Sequence, residues 1–233
     1  MLNQVRVLII GKANAGKTTL LPKLFEQETP TVRDRSGNVI INPSGLTPSD
    51  DRGVHDIENE ITFSSRPDLV FHDSLGFEAA STTEIEEVRD FISSRAAMPV
   101  EKQLSVIWFC LPTSDPRPLC EAEMSFFEIG VAPIIPIFTK YDALEIVTRS
   151  RLIEEGLSRS EARKKTPEEA DRLLEMYWKS PIKAKYQPTT FVCLRDLDKP
   201  KGSIEELKRT LPPAQQFSSE GRLRFPVPGV DQV

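Results

Sequence analysis

Residues 11–18 read GKANAGKT, and this octapeptide constrains the fold of the chain more than any other stretch. It follows VRVLII (5–10), a short run rich in β-branched residues that suits a buried parallel strand. After it, Leu20, Leu21, Leu24 and Phe25 recur at helical spacing, with Pro22 placed to kink the helix. The glycines, lysine and threonine have the G-x-x-x-x-G-K-[ST] spacing of a phosphate loop. Each position has a physical reason. Backbone N–H groups of residues 12–18 can point inward at an anion, and Gly11 and Gly16 allow dihedrals that side chains would block. A helix beginning near Lys17 aims the positive end of its dipole at the same anion. The Lys17 ammonium is a mobile charge for outer phosphates, and the Thr18 hydroxyl is a hard oxygen ligand suited to Mg2+. The expected phosphate-binding set is Gly11, Asn14, Ala15, Gly16, Lys17, Thr18 and Thr19. The plainer reading, a glycine-rich turn before a helix, leaves the matching strand and helix on either side unexplained.

Downstream, apolar runs alternate with helical patterns. HDIENEITF (55–63) and DLVFHD (68–73), joined by SSR, predict a β-hairpin. LSVIWFCL (104–111), APIIPIFT (132–139) and TTFVCL (189–194) predict further strands. Helices are expected from the Thr83/Glu86 capping box, over 118–130, from about Ala143, and over IEELKRTL with Ser203 as its cap. Between Asp142 and the last strand lie more residues than one crossover needs. Ser158 with Glu161, and Thr166 with Pro167 and Glu169, predict two extra helices there. Alternating strands and helices imply right-handed crossovers, hence an α/β three-layer sandwich of the P-loop NTPase kind with a mostly parallel sheet. The expected organisation is one domain over 1–211, with a long first loop at 28–56, a helical insertion at about 157–186 and a proline-rich tail at 212–233.

Composition narrows the function. The 233 residues carry 30 Lys plus Arg against 35 Asp plus Glu, a net charge of -5, which argues against a nucleic-acid partner. Cys110, Cys120 and Cys193 lack metal-ligand spacing and read as reduced thiols, which points to the cytoplasm. The apolar start is broken by Arg6 and by the glycines and lysines after Ile10, so neither a membrane span nor a signal peptide is expected. In the insertion, SRSEARKK (158–165) is basic and EMYWK (175–179) carries bulky aromatics. A helical flap packed on the domain is the favoured reading, and a surface for a partner or a second copy is the other.

Two further stretches carry chemistry. LVFHDSLGFE (69–78) ends a strand at Asp73, which suits delivery of a carboxylate to a metal, and reaches Gly76, which can sense a phosphate. FTKYD (138–142) ends another strand. Guanine presents N1–H and an exocyclic amine side by side, and one carboxylate accepts both; adenine N1 is an acceptor, so Asp142 suits guanine. The aliphatic stem of Lys140 can cover the face of a base, and Thr139 completes the T-K-x-D pattern.

With Gly11–Thr18, Asp73–Gly76 and Thr139–Asp142 in this order, residues 5–211 resemble the Ras-like (TRAFAC) superclass of P-loop GTPases. The D-x-x-G-F form and the long first loop are more similar to the Era, septin and immunity-associated branches than to Ras. The phrases FHDSLGFE and FTKYDAL also resemble a fungal group of short G-domain proteins. The resemblance implies GTP and GDP as ligands, Mg2+ as cofactor held by Thr18 and Asp73, and a γ-phosphate contact from Gly76. It places the fifth motif near Cys193 and Leu194, where CLRD replaces Ser-Ala-Lys and only backbone contacts to guanine O6 carry over. It also implies a first-loop threonine, for which Thr47 is the nearest candidate. Arg52, as an arginine finger in cis, and His55, orienting water, are further catalytic candidates beside Lys17, Thr18 and Gly76; a solvated arginine and a hydrogen-bonded strand histidine are the favoured readings. Phe77 stands where a water-orienting side chain is wanted. The function expected is therefore a slow GTPase switch with a protein effector or homodimer partner. The alternatives are a GTP/GDP-binding scaffold without turnover and, disfavoured by Thr139–Asp142, an ATP-dependent kinase.

Overall fold

The computed structural model describes residues 4–26, 28–40, 56–74, 76, 82–114, 119–197, 199 and 204–212. Its strands in chain order are β1 (Val5–Gly11), β2 (Thr31–Arg33), β3 (Glu60–Phe63), β4 (Arg66–Asp73), β5 (Val106–Pro112), β6 (Ile134–Thr139) and β7 (Val192–Cys193). They form one sheet in the order β2-β3-β4-β1-β5-β6-β7. The pairs β4–β1, β1–β5, β5–β6 and β6–β7 are parallel, and the edge pairs β2–β3 and β3–β4 are antiparallel. Parallel pairing brings the carboxyl ends of β1, β4 and β6, at Gly11, Asp73 and Thr139, to one edge. Open α/β sheets bind ligands at that edge.

The helices are α1 (Lys17–Leu24), α2 (Thr82–Ala96), α3 (Glu121–Ser125), α4 (Tyr141–Glu154), α5 (Arg159–Leu174), α6 (Ser180–Lys185) and α7 (Glu205–Lys208). The alternation of β1 divides the core. Val5, Val7 and Ile9 face a cluster with Leu20, Leu21 and Leu24 of α1, Trp108 and Leu207 of α7. Leu8 and Ile10 face Val88, Phe91 and Ile92 of α2, Leu144 of α4, Ala170, Leu173 and Leu174 of α5, and Trp178. The result is a three-layer α/β sandwich with a mostly parallel sheet, the P-loop NTPase fold. Among the described residues no helix is long and apolar enough to cross a membrane.

Several element boundaries differ from the sequence reading. The span expected to be loop contains β2, paired with Glu60–Thr62. Its return is a turn in which the Asp34 carboxylate accepts from the amides of Ser36 (2.8 Å) and Asn38 (2.9 Å), so that Val39 bridges back to Arg33. A three-residue edge strand is too short to show periodicity. The hairpin strand begins at Glu60, because Asp56–Asn59 form a turn with Asn59 N donating to Asp56 O. Helix α2 starts at Thr82, so Thr83 lies inside it. The expected 118–130 helix is the short α3 followed by a 3-10 turn at Phe126–Glu128.

Ser158 caps α5 as its spacing predicts: its amide donates to Glu161 Oε2 (3.0 Å) and its hydroxyl accepts from the Glu161 amide (3.3 Å). Thr166 and Pro167 do not start a second helix. Helix α5 runs through both, with the buried Thr166 hydroxyl donating to Ala162 O at 2.7 Å. The cap hydroxyl therefore serves the helix interior. A π-helical turn at Glu175–Lys179 then joins α5 to α6. Ser203 lies outside the described residues.

Candidate functional site

The loop between β1 and α1 is shaped by its surroundings. Gly11 has φ +152° and pairs with Cys110 on β5, and a Cβ there would lie 2.5 Å from the Cys110 carbonyl oxygen. Asn14 (φ 59°) and Gly16 (φ 82°) take left-handed backbone, and Gly16 caps α1. Ala15 N donates to Lys12 O (3.1 Å) and Thr19 N to Gly16 O (3.1 Å). Lys17 is 6% exposed, and its ammonium donates to the carbonyls of Gly11 (3.0 Å) and Lys12 (2.9 Å). Burial, partly offset by Asp73, lowers the Lys17 pKa. Sequence reasoning missed that Lys12 has its own anchor, with its ammonium 2.9 Å from the buried Glu123 carboxylate on α3.

Asp73 ends β4 beside this loop and is buried. Burial, opposed by Lys17, pushes its carboxyl up to about 7. Asp73 Oδ1 and the Ser74 hydroxyl have no hydrogen-bond partner among the described residues. Gly76 has φ +47°, and a Cβ there would meet Lys17 Nζ at 2.7 Å and the Ala13 backbone nitrogen at 2.8 Å. Gly76 therefore rests directly on the phosphate loop. A buried, orphaned carboxylate oxygen is costly unless a cation answers it, so the site fits Mg2+. Thr18 lies in the first turn of α1.

The third motif locks onto the first. The Thr139 hydroxyl donates to Ala15 O at 2.8 Å. The Thr139 carbonyl accepts from both the amide (2.9 Å) and the hydroxyl (3.0 Å) of Thr113, a buried residue that no sequence pattern marks. Lys140 caps α4 with φ 56°. Asp142 follows, and its Oδ1 accepts from the Asp196 amide at 3.0 Å. A cavity of about 290 Å³ is lined by Gly16, Thr19, Thr139, Lys140, Asp142, Ala143 and Leu197. Cys193 and Leu194, expected to offer backbone groups to a base, lie at the end of β7 and just after it. The Cys193 amide donates to Glu206 of α7 (3.0 Å) and the Leu194 amide to Phe138 O of β6 (2.8 Å). Leu197, three residues after Leu194, lines the cavity.

His72 points away from Asp73, as alternation along β4 requires. Its Nδ1 lies 3.0 Å from Ile57 O, and a carbonyl only accepts, so Nδ1 carries the proton and Nε2 accepts from Arg6 Nη1 at 3.3 Å. Burial, with Arg95 and Arg6 nearby, pushes His72 down to about 3, so it stays neutral. Arg6 also pairs with Glu60 (2.6 Å) and Arg95 with Glu58 (3.1 Å). This buried belt joins the exit of the first loop to β1 and α2. Thr47, Arg52, His55 and Phe77 lie outside the described residues.

Fold and loop together define the class: a P-loop NTPase domain with its three motifs in the order of G domains. No protein-family model matches the sequence, and no curated protein matches it. Among solved structures, a mutant of NFeoB from S. thermophilus bound to GDP is 16% identical, with a TM-score of 0.41, over 62% of this chain and 47% of that one. The chain thus spans about half of that structure's length. The G domain of the T. maritima FeoB iron transporter is 16% identical (TM-score 0.38) over 75% of this chain and 98% of that one. Cdc11 from Saccharomyces cerevisiae is 18% identical (TM-score 0.37) over 73% and 63%.

Proposed function

We propose that the chain binds guanine nucleotides at the carboxyl edge of its sheet and, with Mg2+, slowly hydrolyses GTP to GDP and phosphate as a molecular switch. The observation that carries this reading is the Asp142 carboxylate, fixed by the Asp196 amide on a cavity that Gly16 and Thr19 of the phosphate loop also line. A base accepted by Asp142 lies within reach of phosphates held at Lys17. Guanine fits because its two adjacent donors match one carboxylate.

The loop amides and the α1 N-terminus bind the phosphate chain, and Lys17 would exchange its carbonyl partners for phosphate oxygens. Gly76, resting on Lys17 and Ala13, is placed to register a terminal phosphate. Thr18 and Asp73 would hold Mg2+, which when bound offsets charge on the outer phosphates. Phe77 can neither donate nor accept a hydrogen bond to water, so intrinsic turnover is slow. That same residue favours the second reading, a GTP/GDP-binding scaffold without turnover. A protein effector or a second copy of the chain belongs to either reading.

The test is direct binding of GTP and ATP with Mg2+, followed by single-turnover phosphate release. GTP preference with slow release is expected. Tight GTP binding with no release favours the scaffold, and ATP preference overturns the guanine reading. Asp142→Asn is expected to weaken GTP binding by at least about tenfold; wild-type affinity in that variant removes the main support.

A further inference from the structure

The helices between α4 and β7 reach under the base-reading motif. Tyr141, between Lys140 and Asp142, is 1% exposed, and its hydroxyl donates to the Asp171 carboxylate on α5. The opposite contact to the ring comes from Arg195, whose guanidinium carbon lies 4.5 Å from the ring centroid. Arg195 Nη2 is also 3.4 Å from Glu145 Oε1, one turn along α4. The Tyr141 amide donates to Leu194 O (3.2 Å), and Asp142 accepts from the Asp196 amide (3.0 Å). These contacts, from two separate segments, converge on the dipeptide that carries the base-reading carboxylate.

We propose that Asp171 and Arg195 are positioning residues for base selectivity: together they hold the Tyr141 ring, which sets the first turn of α4 and so the angle of the Asp142 carboxylate. The proposal rests on the guanine-nucleotide reading. The Asp171 carboxylate fixes the phenol end of a ring that is otherwise packed away, so removing that acceptor frees the ring to shift. Hydrogen bonds weaken steeply with misalignment. A carboxylate accepting two parallel donors loses the outer one first when it rotates. For guanine that outer donor is the exocyclic 2-amine. The helical insertion is then part of the specificity apparatus, although it does not line the cavity.

Inosine diphosphate isolates this effect, since it keeps N1–H and the diphosphate but lacks the 2-amine. The experiment compares GDP and inosine diphosphate affinity, by calorimetry, for the wild-type chain, Asp171→Ala and Tyr141→Phe. Asp171 is exposed, so its alanine variant is compatible with folding; Tyr141→Phe keeps the buried ring and its contact with Arg195. The expected result is a fall of about three- to tenfold in the GDP-to-inosine-diphosphate affinity ratio in both variants, with inosine diphosphate affinity unchanged. A purely structural role weakens both ligands alike. A selective wild type whose variants keep its ratio overturns the proposal alone. A wild type that binds GDP no tighter than ADP overturns the guanine reading, and the proposal with it.

Discussion

At the scale of single residues, one added carbon at Gly76 would press on the Lys17 ammonium and on the Ala13 backbone at a φ of +47°. Gly76→Ala is expected to lift the turn off the phosphate loop, reducing the preference for GTP over GDP by about tenfold while leaving GDP affinity near wild type. Competitive binding of the two nucleotides measures this. Asp73 gives a pH signature. Its folded pKa, about 7, is raised above the ordinary 3.8. Its contribution to stability is therefore fully present below pH 3.8 and is lost as pH rises through about 7. In chelator, urea unfolding midpoints are expected to fall between about pH 4 and about pH 7, by an amount worth a few kcal/mol at most. Asp73→Asn flattens that slope, and added Mg2+ with nucleotide opposes it in the wild type.

At the scale of elements, the buried belt of Arg6, His72, Glu60, Arg95 and Glu58 makes β1, β4, the segment before β3 and α2 one unit. Arg6→Met removes a donor from His72 and Glu60 together and is expected to cost about 2–4 kcal/mol in denaturant unfolding. Pro167 leaves Arg163 O without its usual partner inside α5, so Pro167→Ala is expected to stabilise by about 1–2 kcal/mol, seen as a higher melting temperature. The same elements show what a sequence can disclose. Apolar runs located β1, β5 and β6, and the Ser158–Glu161 box located the start of α5, because each depends on neighbours in the chain. The second helix start at Thr166 was misread because a capping pattern does not say whether the backbone before it is already helical. β2 was invisible because its partner is residues away on β3.

At the scale of the whole molecule, the candidate site is a meeting of three strand ends, and only its chain-local parts were legible. Lys17, Asp73, Thr139 and Asp142 declare themselves by spacing. Thr113, Lys12 with Glu123, Asp196 and Leu197 enter only through tertiary contacts, so no local pattern finds them. Because the three motifs lie on different strands, nucleotide binding should stabilise the domain as a whole. GDP at about 100 times its Kd is expected to add about 2.7 kcal/mol, raising the thermal midpoint, and a roughly tenfold weaker Asp142→Asn should roughly halve that rise at the same concentration.

The two indoles lie on opposite sides of the sheet, Trp108 in the cluster with α1 and α7 and Trp178 in the cluster with α5. Both are almost wholly buried. The chain therefore carries a built-in pair of optical reporters, one for each helical layer. Replacing either with Phe leaves the fluorescence of one layer alone, so the order in which the layers come apart can be read without any attached dye.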